Sequence, residues 1–138
     1  MDLLIDTNII LDILQNREPF VQYSQHIFNL IKEKKYTGIL ASHTITNLWY
    51  ILRKTHTIEQ RRTILLSLLE LFEISALTKI KLKNALWRTD FSDFEDCLQD
   101  ECGIEYCADY IITRNPSDFE KSTIRCVSPQ EFIQLKGV

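Results

Sequence analysis

Short apolar runs separated by longer amphipathic stretches constrain this chain more than any other feature. Residues 2–6 read Asp-Leu-Leu-Ile-Asp, residues 38–41 Gly-Ile-Leu-Ala, and residues 110–112 Tyr-Ile-Ile. Each run is short and bounded by polar residues, which predicts a buried strand. Phe72–Ile74 and Thr123–Cys126 read as two further short strands. Helical spacing fills the intervals. Ile9, Ile10, Ile13 and Leu14 follow Thr7-Asn8, and Asn16–Pro19 break that helix. Phe20, Tyr23, Ile27, Leu30 and Ile31 share a face over residues 20–34. Ser42 caps a helix carrying Ile45, Leu48, Trp49 and Leu52, and Thr57 caps another that runs to Leu71. One helix spans Thr78 to Arg88. Ser92 or Asp93 caps the next, to Cys102, and Ser128-Pro-Gln-Glu opens the last with proline at its first position. Strands alternating with helices predict an α/β fold of three layers, α/β/α, around a parallel sheet of four or five strands.

Composition narrows the class. The chain has 138 residues, 45% of them apolar, and only three glycines and three prolines. No linker or repeat interrupts it, so one domain is expected over residues 1–138. No apolar run reaches the roughly 18–20 residues of a membrane span, and Met-Asp-Leu-Leu-Ile-Asp lacks the basic start and long apolar core of a secretory signal. A cytoplasmic protein without a membrane partner is the expectation. Cys97, Cys102, Cys107 and Cys126 form no CxxC pair and no zinc-site spacing, and read as small apolar core residues. His26, His43 and His56 pair with no nucleophile in sequence and read as surface or capping residues.

Charge is unevenly distributed. Eight cations and three anions lie between Arg53 and Arg88, whereas ten anions and one cation lie between Asp90 and Glu120. Such a division suits a metal site beside a phosphate-binding surface, and equally suits solvated helix faces.

In parallel sheets, ligands bind beyond the carboxyl ends of the strands. Asp6 follows the first strand, and Asp118 lies in the polar loop after the fourth, Thr113-Arg-Asn115-Pro-Ser-Asp118. Asp93-Phe-Glu-Asp96 opens a helix, with Asp93 and Asp96 three apart on one face. Read alone, each acid is equally a helix or turn cap. Together they point further. At an effective dielectric of about 20, two carboxylates 4 Å apart repel by roughly 4 kcal/mol. Gathering three requires a cation or proton to offset that repulsion, and oxygen-only donors select a hard ion, Mg²⁺ or Mn²⁺.

Four segments carry a resemblance: Leu-Ile-Asp6-Thr7-Asn8-Ile-Ile-Leu-Asp12, Ser42-His-Thr-Ile-Thr-Asn47-Leu48, Asp93-Phe-Glu-Asp96-Cys-Leu98, and Ile112-Thr113-Arg114-Asn115-Pro-Ser-Asp118-Phe119. Together they resemble the PIN domain, and within it the bacterial branch of VapC-type toxin ribonucleases. The resemblance spans nearly the whole chain. It implies a Rossmann-like sheet and an acidic pocket that binds one or two divalent ions, Mg²⁺ or Mn²⁺. It also implies hydrolysis of RNA by metal-activated water. Asp6, Asp96 and Asp118 match the family's acids as metal-ligating and catalytic residues. Asn8, Asp93, Thr113 and Asn115 support them. Asn47 stands where the family usually has glutamate, which implies a weaker or more substrate-dependent metal site. Arg53, Arg61, Arg62 and Arg114 are candidates to contact the RNA backbone. A small antitoxin and a second copy of the chain are the implied protein partners. Trp49 and Tyr50 would meet that copy, although both also read as core residues.

The alternative is a PIN-like module, catalytically weak or inactive, that binds RNA or protein without cutting. Other readings fare worse. Asp6-Thr7-Asn8 lacks the second aspartate of a haloacid-dehalogenase-like phosphatase, and no GxGxxG follows the first strand.

Overall fold

The short strands are apolar on both sides because the sheet is covered on both sides. The computed structural model describes residues 1–138. Its elements are β1 (Asp2–Ile5), α1 (Thr7–Leu14), α2 (Val21–Lys32), β2 (Thr37–Ala41), α3 (Ser42–Ile51), α4 (Ile58–Leu71) and β3 (Glu73–Ser75). They continue with α5 (Lys79–Trp87), α6 (Phe94–Glu105), β4 (Tyr110–Ile112), β5 (Arg125–Val127) and α7 (Pro129–Lys136). Single 3₁₀ turns follow α3 at Leu52–Lys54 and β4 at Pro116–Phe119.

The five strands pair in the order β3-β2-β1-β4-β5, all parallel. Period-two alternation sorts their side chains onto two faces. Leu3, Ile5, Leu40 and Ile112 enter the larger core with Ile9 and Ile10 of α1, Ile27 of α2, Leu48 of α3, Leu65 of α4 and Phe132 of α7. Leu4, Ile39, Ala41 and Ile111 face the other way, onto Cys102 of α6 and Phe119. Neighbours in sequence thus stabilise opposite layers.

The helix ends follow their local chemistry. Thr57 and Ser128 each form a capping box with the residue three on, Gln60 and Glu131. Gly137 closes α7 in the left-handed conformation, at φ 64°.

The edge strands differ from the sequence reading by one to two residues. β3 starts at Glu73 because Phe72 ends α4 and packs in the core. β5 runs to Val127 because that residue pairs with Ile112. Trp49 and Tyr50 are exposed rather than core, since α3 buries Thr44 and Leu48 and turns the next two residues outward. The Arg61 and Arg53 guanidinium groups lie over their rings, at 4.1 and 3.7 Å. Cys97 and Cys102 are buried, whereas Cys126 is half-buried and Cys107 is exposed.

Two cations, buried Lys81 and partly buried Arg88, tie α5 and its C-terminal end to their neighbours. The Lys81 ammonium donates to Ser75 Oγ at 2.9 Å, to the Ala76 carbonyl and to Glu105 Oε1 at 2.8 Å. Arg88 pairs with Asp90, Asp100 and Glu101 at 2.8–3.0 Å. These contacts fasten α5 and the loop after it against α6.

Gly38 in β2 is required by close packing. A Cβ there would lie 2.5 Å from Phe72 Cε1 and 2.8 Å from Ile31 Cδ1. Gly38→Ala should therefore cost about 1–3 kcal/mol by overpacking. Urea denaturation should show a lower midpoint at unchanged slope; an unchanged midpoint would refute the packing account.

Candidate functional site

The strand order reverses at β1. β2 and β3 lie on one side of it and β4 and β5 on the other, so the connections diverge and leave a crevice at the carboxyl ends of β1 and β4. Ile5 pairs with Ile112, which sets Asp6 level with Thr113 just past the last pair. The Asp6 N–H donates to the Ile112 carbonyl at 3.0 Å.

Asp6 occupies the N-cap position of α1, yet its side chain makes no capping hydrogen bond. The carboxylate turns into the crevice instead. Thr113 Oγ1 donates to Oδ2 at 2.7 Å, and Gln99 Nε2 donates to Oδ1 at 2.9 Å. Asp6 is only 7% exposed. A buried carboxylate is tolerated when hydrogen-bonded, and these two donors hold it in one orientation.

The first turn of α6 brings the next acids. Asp93 caps that helix, accepting from the Asp96 N–H at 2.9 Å. Asp96 is half-buried. Burial, then the charges of Asp93, Asp6, Asp118 and Glu95, push its pKa up to about 7. A helix N-terminus ordinarily favours an ionised carboxylate. Here desolvation and four like charges outweigh that effect. Those acids come from the end of β1, from α6 and from the turn Pro116–Phe119, so distant stretches of chain converge on one place.

Asp118 lies in the first turn of Pro116–Phe119 with its side chain exposed, and its N–H donates to the Asn115 carbonyl at 3.0 Å. The Thr113 hydroxyl, fully buried, accepts from the Asn115 N–H at 3.2 Å while it donates to Asp6. It couples the loop to the buried acid. The Asn115 side chain itself is exposed. Asn47 donates from Nδ2 to Glu95 Oε2 at 3.3 Å, linking α3 to α6. Asn8 Oδ1 is enclosed and without a partner.

Three residues here were not read as site residues in the sequence: Gln99, His43 and Glu95. Gln99 follows Asp96 by three on α6 and so shares its face; its Oε1 is enclosed without a partner. His43 is the second residue of α3, two positions past the end of β2. Both its ring nitrogens are enclosed and unpartnered. Burial lowers its pKa, against the opposing pull of Glu95 and Asp6, so it is mostly neutral at pH 7. It is neither a cap nor a freely solvated surface residue. Glu95 adjoins Asp96 in the motif.

The ion pairs separate two kinds of acid. Arg88 and Lys81 neutralise Asp90, Asp100, Glu101 and Glu105. Asp12 is paired with Arg114 at 3.0 Å and receives Ser24 Oγ at 3.2 Å. Asp6, Asp93, Glu95, Asp96 and Asp118 face no cation within ion-pair distance. Arg53, Arg61 and Arg114 are each engaged with protein groups, and Arg62 is exposed.

The donors suit a hard cation. All are oxygens, and Gln99 Oε1, on the amide that holds Asp6, is enclosed and lacks a donor that a hydrated ion would bring. No three of the His, Cys, Asp and Glu side chains are set as a closed group of direct ligands. That is compatible with Mg²⁺, which keeps several waters and takes one or two carboxylates plus substrate phosphates.

The sequence matches the PIN domain family over residues 2–117. No curated protein matches it. Solved structures of similar fold include VapBC2 from Rickettsia felis bound to a promoter DNA fragment, 20% identical with a TM-score of 0.68 over 93% of this chain and 98% of that one. A toxin–antitoxin complex from Klebsiella pneumoniae is 18% identical, with a TM-score of 0.69 over 92% of this chain and 97% of that one. FitAcB from Neisseria gonorrhoeae is 14% identical, with a TM-score of 0.69 over 93% and 98%. The family match covers most of the length and every strand up to β4, together with the acids at Asp6 and Asp96. The chain belongs to the PIN-domain family.

Proposed function

We propose that this protein is a divalent-cation-dependent ribonuclease that hydrolyses RNA phosphodiester bonds and acts as the toxin of a toxin–antitoxin pair. One observation carries the reading. Asp6 forgoes its cap and turns into the crevice, where Asp96 and Asp118 add charge that no protein cation offsets.

Bound Mg²⁺ or Mn²⁺ would supply Lewis acidity at the phosphate and neutralise the pit. Asp6, Asp96 and Asp118 would hold it. Thr113 and Gln99 keep Asp6 in one orientation. Asp93, by capping α6, fixes the backbone that carries Asp96. Asn8, Asn47 and Asn115 line or brace the same crevice. Among these acids we assign to Asp96 the task of helping to take the proton that an attacking water gives up. Of the four candidate arginines, exposed Arg62 alone makes no internal contact, and we assign it to the RNA backbone.

Partners follow from the relatives. The similar folds include chains of toxin–antitoxin complexes, which supports a small antitoxin as partner. The exposed aromatics Trp49 and Tyr50 support a homodimer contact. No helix is long and apolar enough to cross a membrane. A cytoplasmic site of action is part of the proposal. Residues 1–138 are read as one working unit.

A second reading, a PIN-like module that binds RNA or protein without cutting, draws on neutral Asn47 and on the absence of a closed three-acid ligand set. Calorimetry with Mn²⁺ separates the two, since a scaffold has no need of the ion.

The nuclease reading predicts RNA cleavage with Mn²⁺ or Mg²⁺, abolition by EDTA, and loss of at least about 100-fold in Asp6→Asn and Asp96→Asn. Cleavage that persists through EDTA and both substitutions would end it.

Proton linkage gives an independent expectation. The folded metal-free protein keeps a proton on Asp96 up to pH of about 7, whereas an unfolded aspartate loses its proton near 3.8. Between those values the folded state binds more protons, so stability falls as pH rises through this window. Thermal melts in EDTA should show that decline, and Asp96→Asn should flatten it. Mn²⁺ affinity should instead rise with pH to about 7, because binding must expel the proton. A pH-independent melt in the wild type would contradict the raised pKa.

A further inference from the structure

Each segment that borders the crevice brings a carboxylate except α3, whose residues there are His43 and Asn47. Asn47 is not idle. It donates to Glu95 Oε2 at 3.3 Å, and the Glu95 charge bears on both Asp96 and His43. Adjacent helical residues point about 100° apart, so Glu95 and Asp96 flank the opening turn of α6 on different sides. Asp96 faces inward. Glu95, longer and exposed, spans the gap to α3. No lysine or arginine pairs with it. Independently of the acids, Gln99 is 3% exposed and its Oε1 has no partner, although the same amide holds Asp6. An enclosed acceptor beside the acids calls for a donor, and water on a hydrated ion is one.

We propose that Glu95 is a further ligand-supplying residue of the divalent-cation site, held at its α3 side by Asn47 and carrying the negative charge that Asn47 does not. The inference rests on the metal-dependent reading above. Asn47 is then a positioning residue: its amide NH₂ orients a carboxylate that belongs to the facing helix. An acid at position 47 would do the same task directly. The two arrangements place one carboxylate at one boundary of the crevice, reached from opposite helices.

The test is Mn²⁺ titration of the full chain by calorimetry, with metal-free melts as a check on folding. Glu95→Gln should weaken Mn²⁺ binding by about tenfold or more, and Asn47→Ala by a smaller factor. Glu95→Gln/Asn47→Glu should recover affinity to within about threefold of wild type, since the charge returns from the other helix. The metal-free melt of Glu95→Gln should not fall, because one like charge leaves a repulsive cluster. Unchanged Mn²⁺ affinity in Glu95→Gln, with binding lost in Asp6→Asn, would overturn the role of Glu95 and leave the ribonuclease reading intact. Failure of Asn47→Glu to restore Glu95→Gln would show that the two positions do not share one carboxylate function. Absence of Mn²⁺ binding by the wild type would defeat both readings at once.

Discussion

The parallel pairing of β1 with β4 is the constraint on which the rest depends. It aligns Ile5 with Ile112, and so brings Asp6 level with Thr113, residues 107 positions apart in the chain. A one-residue slip in that register would turn every side chain of the strand to the opposite face. Leu3 and Ile5 would leave the larger core, and Leu4 would enter it. The register is therefore held by the burial of these side chains, and the crevice inherits its geometry from the core.

That geometry forces a conflict between packing and charge. Asp6 is nearly enclosed, and Asp96 is half-buried among four other carboxylates. Elsewhere the fold resolves the same conflict with cations. Asp12 and Asp100 are fully buried, and each meets an arginine, Arg114 and Arg88. Asp6 meets only a hydroxyl and an amide. Neutral donors orient a carboxylate without cancelling its charge, and the uncancelled charge remains available to an exogenous cation. Of the three buried aspartates, Asp6 alone is thus without an arginine, although basic residues are plentiful between Arg53 and Arg88.

Part of the basic stretch is used internally. Lys81 and Arg88 brace α5 against α6, and Arg53 and Arg61 lie over Tyr50 and Trp49. A count of charges along the chain therefore overstates the surface free to meet phosphate. The acids between Asp90 and Glu120 divide in the same way: Asp90, Asp100, Glu101 and Glu105 are paired with cations, whereas Asp93, Glu95, Asp96 and Asp118 are not.

The strands, most helices and the PIN-domain membership were legible in the sequence. Their signals are local: apolar runs, helical spacing, capping boxes at Thr57 and Ser128, and short motifs around Asp6, Asp96 and Asp118. Edge-strand limits were less legible, because β3 and β5 are set by their partners across the sheet. So was the exposure of Trp49 and Tyr50, which depends on which side of α3 meets the core. By itself the sequence determined that acids stand at strand ends and helix starts, where cap and ligand are chemically alike. Only the tertiary structure decided which acid caps its helix and which turns away from it, since the direction of a carboxylate depends on donors from distant segments. Thr113 and Gln99 claim Asp6, the Asp96 N–H claims Asp93, and Asn47 claims Glu95.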